Sequence, residues 1–253
     1  MDFRKLVKDV FQLFGLEVTR CKTEEMFPPD VDPKFVKIYK KVRPFTMTSP
    51  ERIFALCEGV RYVCDKHIEG EVVECGVWKG GSSMAAAEVL LTMGDTSRDL
   101  FLFDTFEGMS LPTENDVDVA GVTAESLLKE SDRQVEESVW CRATLDVVKA
   151  ALGSTGYPVE KTHFIKGMVE QTIPHAAPEK IAILRLDTDW YVSTKHEMEH
   201  LFPRLSKGGI LIIDDYGHWQ GARKAVDEYL EKNEVKILLN RIDYTGRIAV
   251  KVE

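Results

Sequence analysis

Val72-Val73-Glu74-Cys75-Gly76-Val77-Trp78-Lys79-Gly80-Gly81-Ser82 runs from a short apolar strand through a glycine-rich turn into the start of a helical pattern. A strand, a tight turn and a helix in that order form the unit from which open α/β sheets are wound. Working outward, further short apolar strands are expected at 100–103, 163–165, 181–186 and 209–213. Helical periodicity is expected at 83–93, 142–152, 194–205 and 221–232. Strands that alternate with helices imply right-handed crossovers and a mostly parallel sheet covered on both faces. The last two strand-like segments, 235–239 and 247–252, have only a short turn region at 243–246 between them. They predict an antiparallel hairpin closing the edge of a seven-stranded, Rossmann-like sheet. Upstream, Thr46-Met47-Thr48-Ser49-Pro50-Glu51 reads as a helix start, with Ser49 as N-cap and Pro50 in the first turn. That helix is expected to reach about His67 and to bury Ile53, Leu56, Val60 and Val63.

The turn after the first strand lies where such sheets bind ligands. A dinucleotide fingerprint needs glycine at its second position so that backbone can approach a pyrophosphate. Trp78 stands there, which disfavours a nicotinamide dehydrogenase and fits a ligand with an adenosine but no pyrophosphate, such as S-adenosylmethionine. Glu74 is placed to hold the cationic amino-acid end, and Gly76 supplies the tight turn. Gly81, Ser82 and Ser83 open the next helix and offer N–H groups and hydroxyls to a carboxylate. Asp104, which ends the second strand, can accept two ribose hydroxyls. Turn chemistry alone explains glycines after a strand; their combination with Glu74 and Asp104 favours the pocket.

Two further strands end in acids, Leu186-Asp187-Thr188-Asp189 and Ile213-Asp214-Asp215. Carboxylates converging at one sheet edge repel unless a cation or protons compensate. Oxygen donors with no clustered Cys or His favour a hard ion, Mg²⁺ first, with Mn²⁺ or Ca²⁺ as alternatives. Such an ion would acidify an acceptor hydroxyl, a neighbouring carboxylate would take its proton, and the oxygen would attack the sulfonium methyl in line. The acidic stretch 105–138 is either a water-excluding lid or a disordered loop.

Composition narrows the alternatives. The 253 residues suffice for one catalytic domain, expected at 45–253, preceded by a helical extension at 1–44 broken by Phe27-Pro28-Pro29-Asp30. A net charge of −9 without a basic run disfavours nucleic acid, and Lys37, Lys40, Lys41 and Arg43 read as the solvated side of a helix. No apolar stretch of about 18 residues is present to cross a bilayer, and Arg4, Lys5 and Lys8 interrupt any export signal. Cysteines 21, 57, 64, 75 and 141 are odd in number and scattered, as expected in a reducing cytoplasm. Apolar residues in the first 44 positions offer a surface for self-association into a homo-oligomer.

The chain resembles the macrocin O-methyltransferase family, the Mg²⁺-dependent sugar O-methyltransferases of macrolide and aminocoumarin biosynthesis. The resemblance spans roughly residues 42 to 235. It is carried by Thr46-Met47-Thr48-Ser49-Pro50-Glu51-Arg52, by 73–81, and by Phe103-Asp104-Thr105-Phe106-Glu107-Gly108-Met109. Lys166-Gly167, Leu186-Asp187-Thr188-Asp189 and Asp214-Asp215-Tyr216-Gly217-His218-Trp219 complete it. The resemblance implies a methyltransferase of Rossmann-like fold, metal ligation by Asp187, Asp214 and Asp215, and Asp189 as general base. It implies cofactor contacts from Thr46, Met47, Ser49, Glu74, the loop glycines Gly76, Gly80 and Gly81, Ser82, Ser83, Asp104 and Asp187. Gly167 and Met168 would lie by the adenine, where Met168 and Gln171 are less polar than the family pattern.

For the acceptor, Trp190 and Tyr191 wall a pocket or simply pack. His218 and Trp219 either touch the acceptor or serve as a capping and a core residue. His196 and His200, flanked by Glu197 and Glu199, read as a solvated helix face in preference to a metal pair. The expected reaction is methylation of a small-molecule hydroxyl, on a sugar of a glycosylated natural product. A catechol-type O-methyltransferase shares the fold and the acids, and a non-catalytic S-adenosylmethionine-binding subunit is the alternative of another class.

Overall fold

The computed structural model describes residues 27–135 and 138–253. The chain divides into two units, Met1–Val36 and Lys37–Glu253. In the first, the rings of Phe27 and Phe35 meet edge to face at 5.9 Å. The helix expected before residue 27 lies outside the described residues. The remaining account concerns the second unit.

Its sheet has seven strands: β1 (Glu71–Cys75), β2 (Leu100–Asp104), β3 (Thr162–Lys166), β4 (Ile181–Leu186), β5 (Leu205–Ile213), β6 (Asn240–Arg241) and β7 (Arg247–Val250). They lie in the order β3-β2-β1-β4-β5-β7-β6. The first five are parallel, and β7 runs antiparallel to both β5 and β6. The expected α/β architecture, with its C-terminal hairpin, is therefore present. The order reverses between β1 and β4, so the crossovers leaving these strands diverge and open a crevice above their carboxyl ends.

The helices are α1 (Pro33–Val42), α2 (Pro50–Asp65), α3 (Gly81–Met93), α4 (Ala124–Glu130), α5 (Leu145–Gly153), α6 (Val169–Thr172), α7 (Tyr191–Leu201) and α8 (Gln220–Lys232). Ser49 caps α2 as predicted, its hydroxyl accepting the Arg52 N–H at 3.2 Å. Ile53, Leu56, Val60 and Val63 are buried along the inner face of α2. One side of the sheet packs its core from Val73, Leu184, Leu186, Leu211 and Ile213 against Met198 and Leu201 of α7.

Two expectations need correction. The sixth strand is Asn240–Arg241 rather than 235–239. Val235, Ile237 and Leu239 are half-buried against the core while Lys236 and Leu238 are exposed, so the alternation is real. It reflects extended chain lying on the core, without a ladder partner among the described residues. Residues 105–135 are also more regular than a loop. They contain α4, capped by Thr123, and an isolated bridge between Val117 and Thr123.

No helix among the described residues is long and apolar enough to cross a membrane. Cys57, Cys64, Cys75 and Cys141 are free thiols.

Candidate active site

The carboxyl ends of β1, β2, β4 and β5 open into one cavity of about 240 Å³. Gly76, immediately after β1, adopts φ +81°, and a Cβ there would lie 1.9 Å from the Asp187 carbonyl oxygen. Only glycine permits that approach, which is locked by the Asp187 N–H donating to the Cys75 carbonyl at 2.8 Å. The glycine turn and the first acid loop are thus in direct backbone contact.

Asp104 lies across the turn. Its Oδ2 accepts the Val77 and Trp78 N–H groups at 2.7 and 3.1 Å, and its Oδ1 accepts the Phe106 N–H at 2.6 Å. Burial pushes the Asp104 carboxyl up, against the pull of these backbone donors. Trp78 also lines the cavity, and its buried indole Nε1 has no hydrogen-bond partner among the described residues.

Glu74 is 3% exposed. Its Oε1 lies 2.7 Å from Nη1 of Arg185, and its Oε2 accepts the Ser83 hydroxyl. Arg185 is the centre of the site's charge network, although it sits inside an otherwise apolar strand with every residue buried. Nη1 also reaches Asp187 at 2.7 Å, while Nη2 reaches Asp214 at 2.6 Å and Thr48 Oγ1 at 3.1 Å. Arg52, projecting from α2, pairs with the other oxygen of Asp214 and with Asp243 at 3.0 Å. A buried guanidinium is tolerable only when paired, and here three carboxylates pair it.

Asp187, Asp214 and Asp215 each offer an oxygen, all within 4.8 Å of one another. Asp189 joins them through its N–H, which donates to Asp215 Oδ2 at 3.1 Å. Asp189 has φ +64°, a left-handed conformation that Asp tolerates better than most residues and that often marks a functional position. Burial and then the Asp187 charge push the Asp189 carboxyl up to about 7. Asp187 and Asp215 are also raised, first by burial, with Asp214 adding repulsion to both. Glu74, Asp187, Asp189, Asp214 and Asp215 outnumber the two arginines, so the site keeps a negative excess that a divalent cation would offset in part. The all-oxygen donor set fits a hard ion.

The cavity is also lined by Thr46, Met47, Gly81, Ser82, Gly167 and Met168. Ser49, Gly80 and Ser83 stand behind it: Ser49 caps α2 and donates to Asp243 at 2.7 Å, Gly80 precedes α3, and Ser83 bonds Glu74. Cys141, which the sequence did not single out, lines the cavity.

The four aromatic candidates do not line it. Trp190 and Trp219 are 2% and 5% exposed and meet edge to face at 4.9 Å. The Tyr191 hydroxyl donates to Glu228 at 2.7 Å on the outer surface. His218 stacks edge-on against Trp219, and its Nδ1 lies 3.4 Å from the Tyr244 hydroxyl. Trp190, Tyr191 and His218 therefore pack, while Trp219 both packs and hydrogen-bonds the Asp189 carboxyl through its side chain.

The rings of His196 and His200 are 4.3 Å apart, and His196 Nε2 lies 3.0 Å from the Ile173 carbonyl oxygen. Glu197 departs from the expected solvated face. It is fully buried, its Oε1 accepts the Thr188 hydroxyl at 2.9 Å, and the Cys75 thiol meets the same carboxyl. Because α7 packs directly on the sheet, its i+1 position from His196 faces inward beneath the acid loop.

Known proteins resemble this chain over most of its length. Residues 40–250 match the family described as Macrocin-O-methyltransferase (TylF). The 8-demethyl-8-(2,3-dimethoxy-alpha-L-rhamnosyl)-tetracenomycin-C 4'-O-methyltransferase of Streptomyces olivaceus is 34% identical over 218 residues, covering 86% of this chain and 80% of the relative. The mycinamicin III 3''-O-methyltransferase of Micromonospora griseorubida is 31% identical, covering 79% of this chain and 76% of the relative. Among solved structures, the O-methyltransferase NovP superposes with a TM-score of 0.72 at 26% identity, covering 83% of each chain.

Proposed function

The chain belongs to the macrocin O-methyltransferase family and is an S-adenosylmethionine-dependent O-methyltransferase; from that premise, we propose that it methylates a sugar hydroxyl of a glycosylated natural product with the help of a divalent cation, Mg²⁺ first. The observation that carries this reading is the convergence of Asp187, Asp214 and Asp215 within 4.8 Å, beside Asp189 and in the same cavity as the glycine turn. The sugar as acceptor is drawn from the relatives, whose names place their methyl groups on sugar positions.

In this reading Asp187, Asp214 and Asp215 hold the ion, which when bound supplies Lewis acidity to the acceptor hydroxyl. Asp214 contributes while keeping its two guanidinium partners, since each carboxylate oxygen carries two lone pairs. Asp189 takes the hydroxyl proton, and its raised pKa makes it a competent base near neutrality. Gly76, Gly81, Ser82 and Asp104 hold the S-adenosylmethionine, with Thr46 and Met47 on one side and Gly167 and Met168 on the other. Gly80, Ser83 and Ser49 shape this wall from behind. Glu74 fixes Arg185, and thereby Asp187, in addition to facing the cavity. The free thiols suit a reducing cytoplasm.

Mass spectrometry tests the proposal. The protein is incubated with S-adenosylmethionine and a panel of deoxysugar glycosides and simple catechols, with Mg²⁺ or with chelator. A methyl gain on a glycoside that needs the ion is expected. Gain on catechols alone would transfer the assignment to the catechol-type class, and gain unaffected by chelator would remove the ion from it.

A further inference from the structure

Each acid pair is followed by a helix: α7 after Asp187 and Asp189, α8 after Asp214 and Asp215. Neither helix has a side-chain cap of its own, because Trp190 and Trp219 occupy the N-cap positions. The first N–H groups of both helices therefore need acceptors from elsewhere. Both acceptors come from the same short segment of the acidic stretch. Asp116 Oδ1 accepts the Tyr191 N–H at 2.7 Å, and the Val117 carbonyl accepts the Gln220 N–H at 2.9 Å.

Asp116 is fully buried although its neighbours from Leu111 to Ala120 are exposed or half-buried. Its second oxygen accepts the Thr113 N–H at 2.6 Å and the Thr113 hydroxyl at 2.9 Å, which folds the segment around the carboxylate. The seat is shaped for it: a Cβ on Gly221 of α8 would lie 2.3 Å from Asp116 Oδ1. The segment is further fastened by the Trp190 indole N–H, which donates to the Ser110 carbonyl at 3.0 Å, and by the bridge between Asp118 and Trp219.

We propose that Asp116 is a positioning residue for methyl transfer: it caps α7 from another part of the chain and so holds the acid loop 187–190 in its working geometry. A carboxylate at a helix N-terminus interacts with the local dipole as well as with the N–H. Tyr191 is two residues from Asp189, whose left-handed backbone has to be held by its surroundings. Segment 110–118 thereby ties the stretch whose Thr105, Gly108, Met109 and Ser110 line the cavity to the helices that follow both acid loops. The catalytic meaning of this link rests on Asp189 being the base, while the link itself does not.

Residue-resolved hydrogen exchange on the full-length protein tests it, with Asp116→Ala, Asp116→Asn and Gly221→Ala compared to the unaltered chain. Asp116→Ala should speed exchange at the Tyr191 and Asp189 amides roughly five- to thirty-fold, with β1 and β4 unchanged. Gly221→Ala should do the same with Asp116 intact, by displacing its carboxylate. Asp116→Asn should restore most of the protection at Tyr191, since an amide oxygen still accepts there. Unchanged exchange at Tyr191 and Asp189 in both alanine variants would overturn the proposal, as would a rise spread evenly over the sheet. Failure of the base assignment would instead leave this exchange pattern intact and show as methyl transfer by the Asp189→Asn protein.

Discussion

Gly76 and Asp187 touch backbone to backbone: a single added methyl on Gly76 would sit 1.9 Å from the Asp187 carbonyl oxygen. The turn that faces the donor and the loop that carries the acids are therefore one mechanical unit. Gly76→Ala should separate them, costing roughly 3 kcal/mol of stability from combined overlap and left-handed strain. Urea unfolding and calorimetric titration with S-adenosylmethionine check this. Retained stability with retained binding would mean the contact does not exist.

Asp189→Asn keeps the size of the side chain and removes its basicity. Methyl transfer should fall about 10²- to 10⁴-fold while S-adenosylmethionine affinity stays within error. Single-turnover assays with an accepted glycoside, paired with binding measurements, would show it. Undiminished turnover refutes the role.

Arg185 is shared by Glu74, Asp187 and Asp214. Arg185→Met should cost about 3–5 kcal/mol, because the buried Glu74 and Asp214 and the half-buried Asp187 lose their shared partner. Adding Glu74→Gln to Arg185→Met should cost less than the sum of the two single changes. Strict additivity in chemical denaturation would contradict the network.

Glu197 is buried with the neutral Thr188 hydroxyl and Cys75 thiol as its donors, and burial raises its pKa well above the ordinary value of 4.5. The folded protein thus binds a proton there that the unfolded chain releases above that value. The Glu197 contribution to stability is complete below about the ordinary carboxylate range and declines as pH rises toward the folded pKa. Glu197→Gln should abolish this decline, so the variant gains on the unaltered protein between acid and neutral pH. Thermal unfolding across that range is the measurement; parallel curves would show Glu197 to be ionised in the fold.

The sheet is legible because β1, β2, β4 and the second half of β5 are compact apolar runs, and two of these end abruptly in paired aspartates. Position in the chain then placed Glu74, Asp104, Asp187 and Asp214 at one edge without further information. Arg185 escaped notice because a lone charge between Leu184 and Leu186 resembles noise in a strand pattern. Its meaning appears only when β1 and β5 bring Glu74 and Asp214 to either side. Asp116 was equally hidden, one acid among many in an acidic stretch, until folding placed it against the first turn of α7. The aromatic residues after the acids left an acceptor wall and plain packing both open, because periodicity does not reveal which face of a helix start turns inward. Trp190 and Trp219 turn toward each other. The alternation at 235–239 reports contact with the core, which an unpaired extended segment can make as well as a strand.

Arg185 and Arg52 are covalent parts of the chain, so the counter-charge they give Asp214 arrives with synthesis and persists through every catalytic cycle. If the pocket takes an ion as proposed, that ion is an exchangeable visitor rather than a structural rivet. Metal starvation would then idle the molecule, and resupply would restart it with no refolding in between.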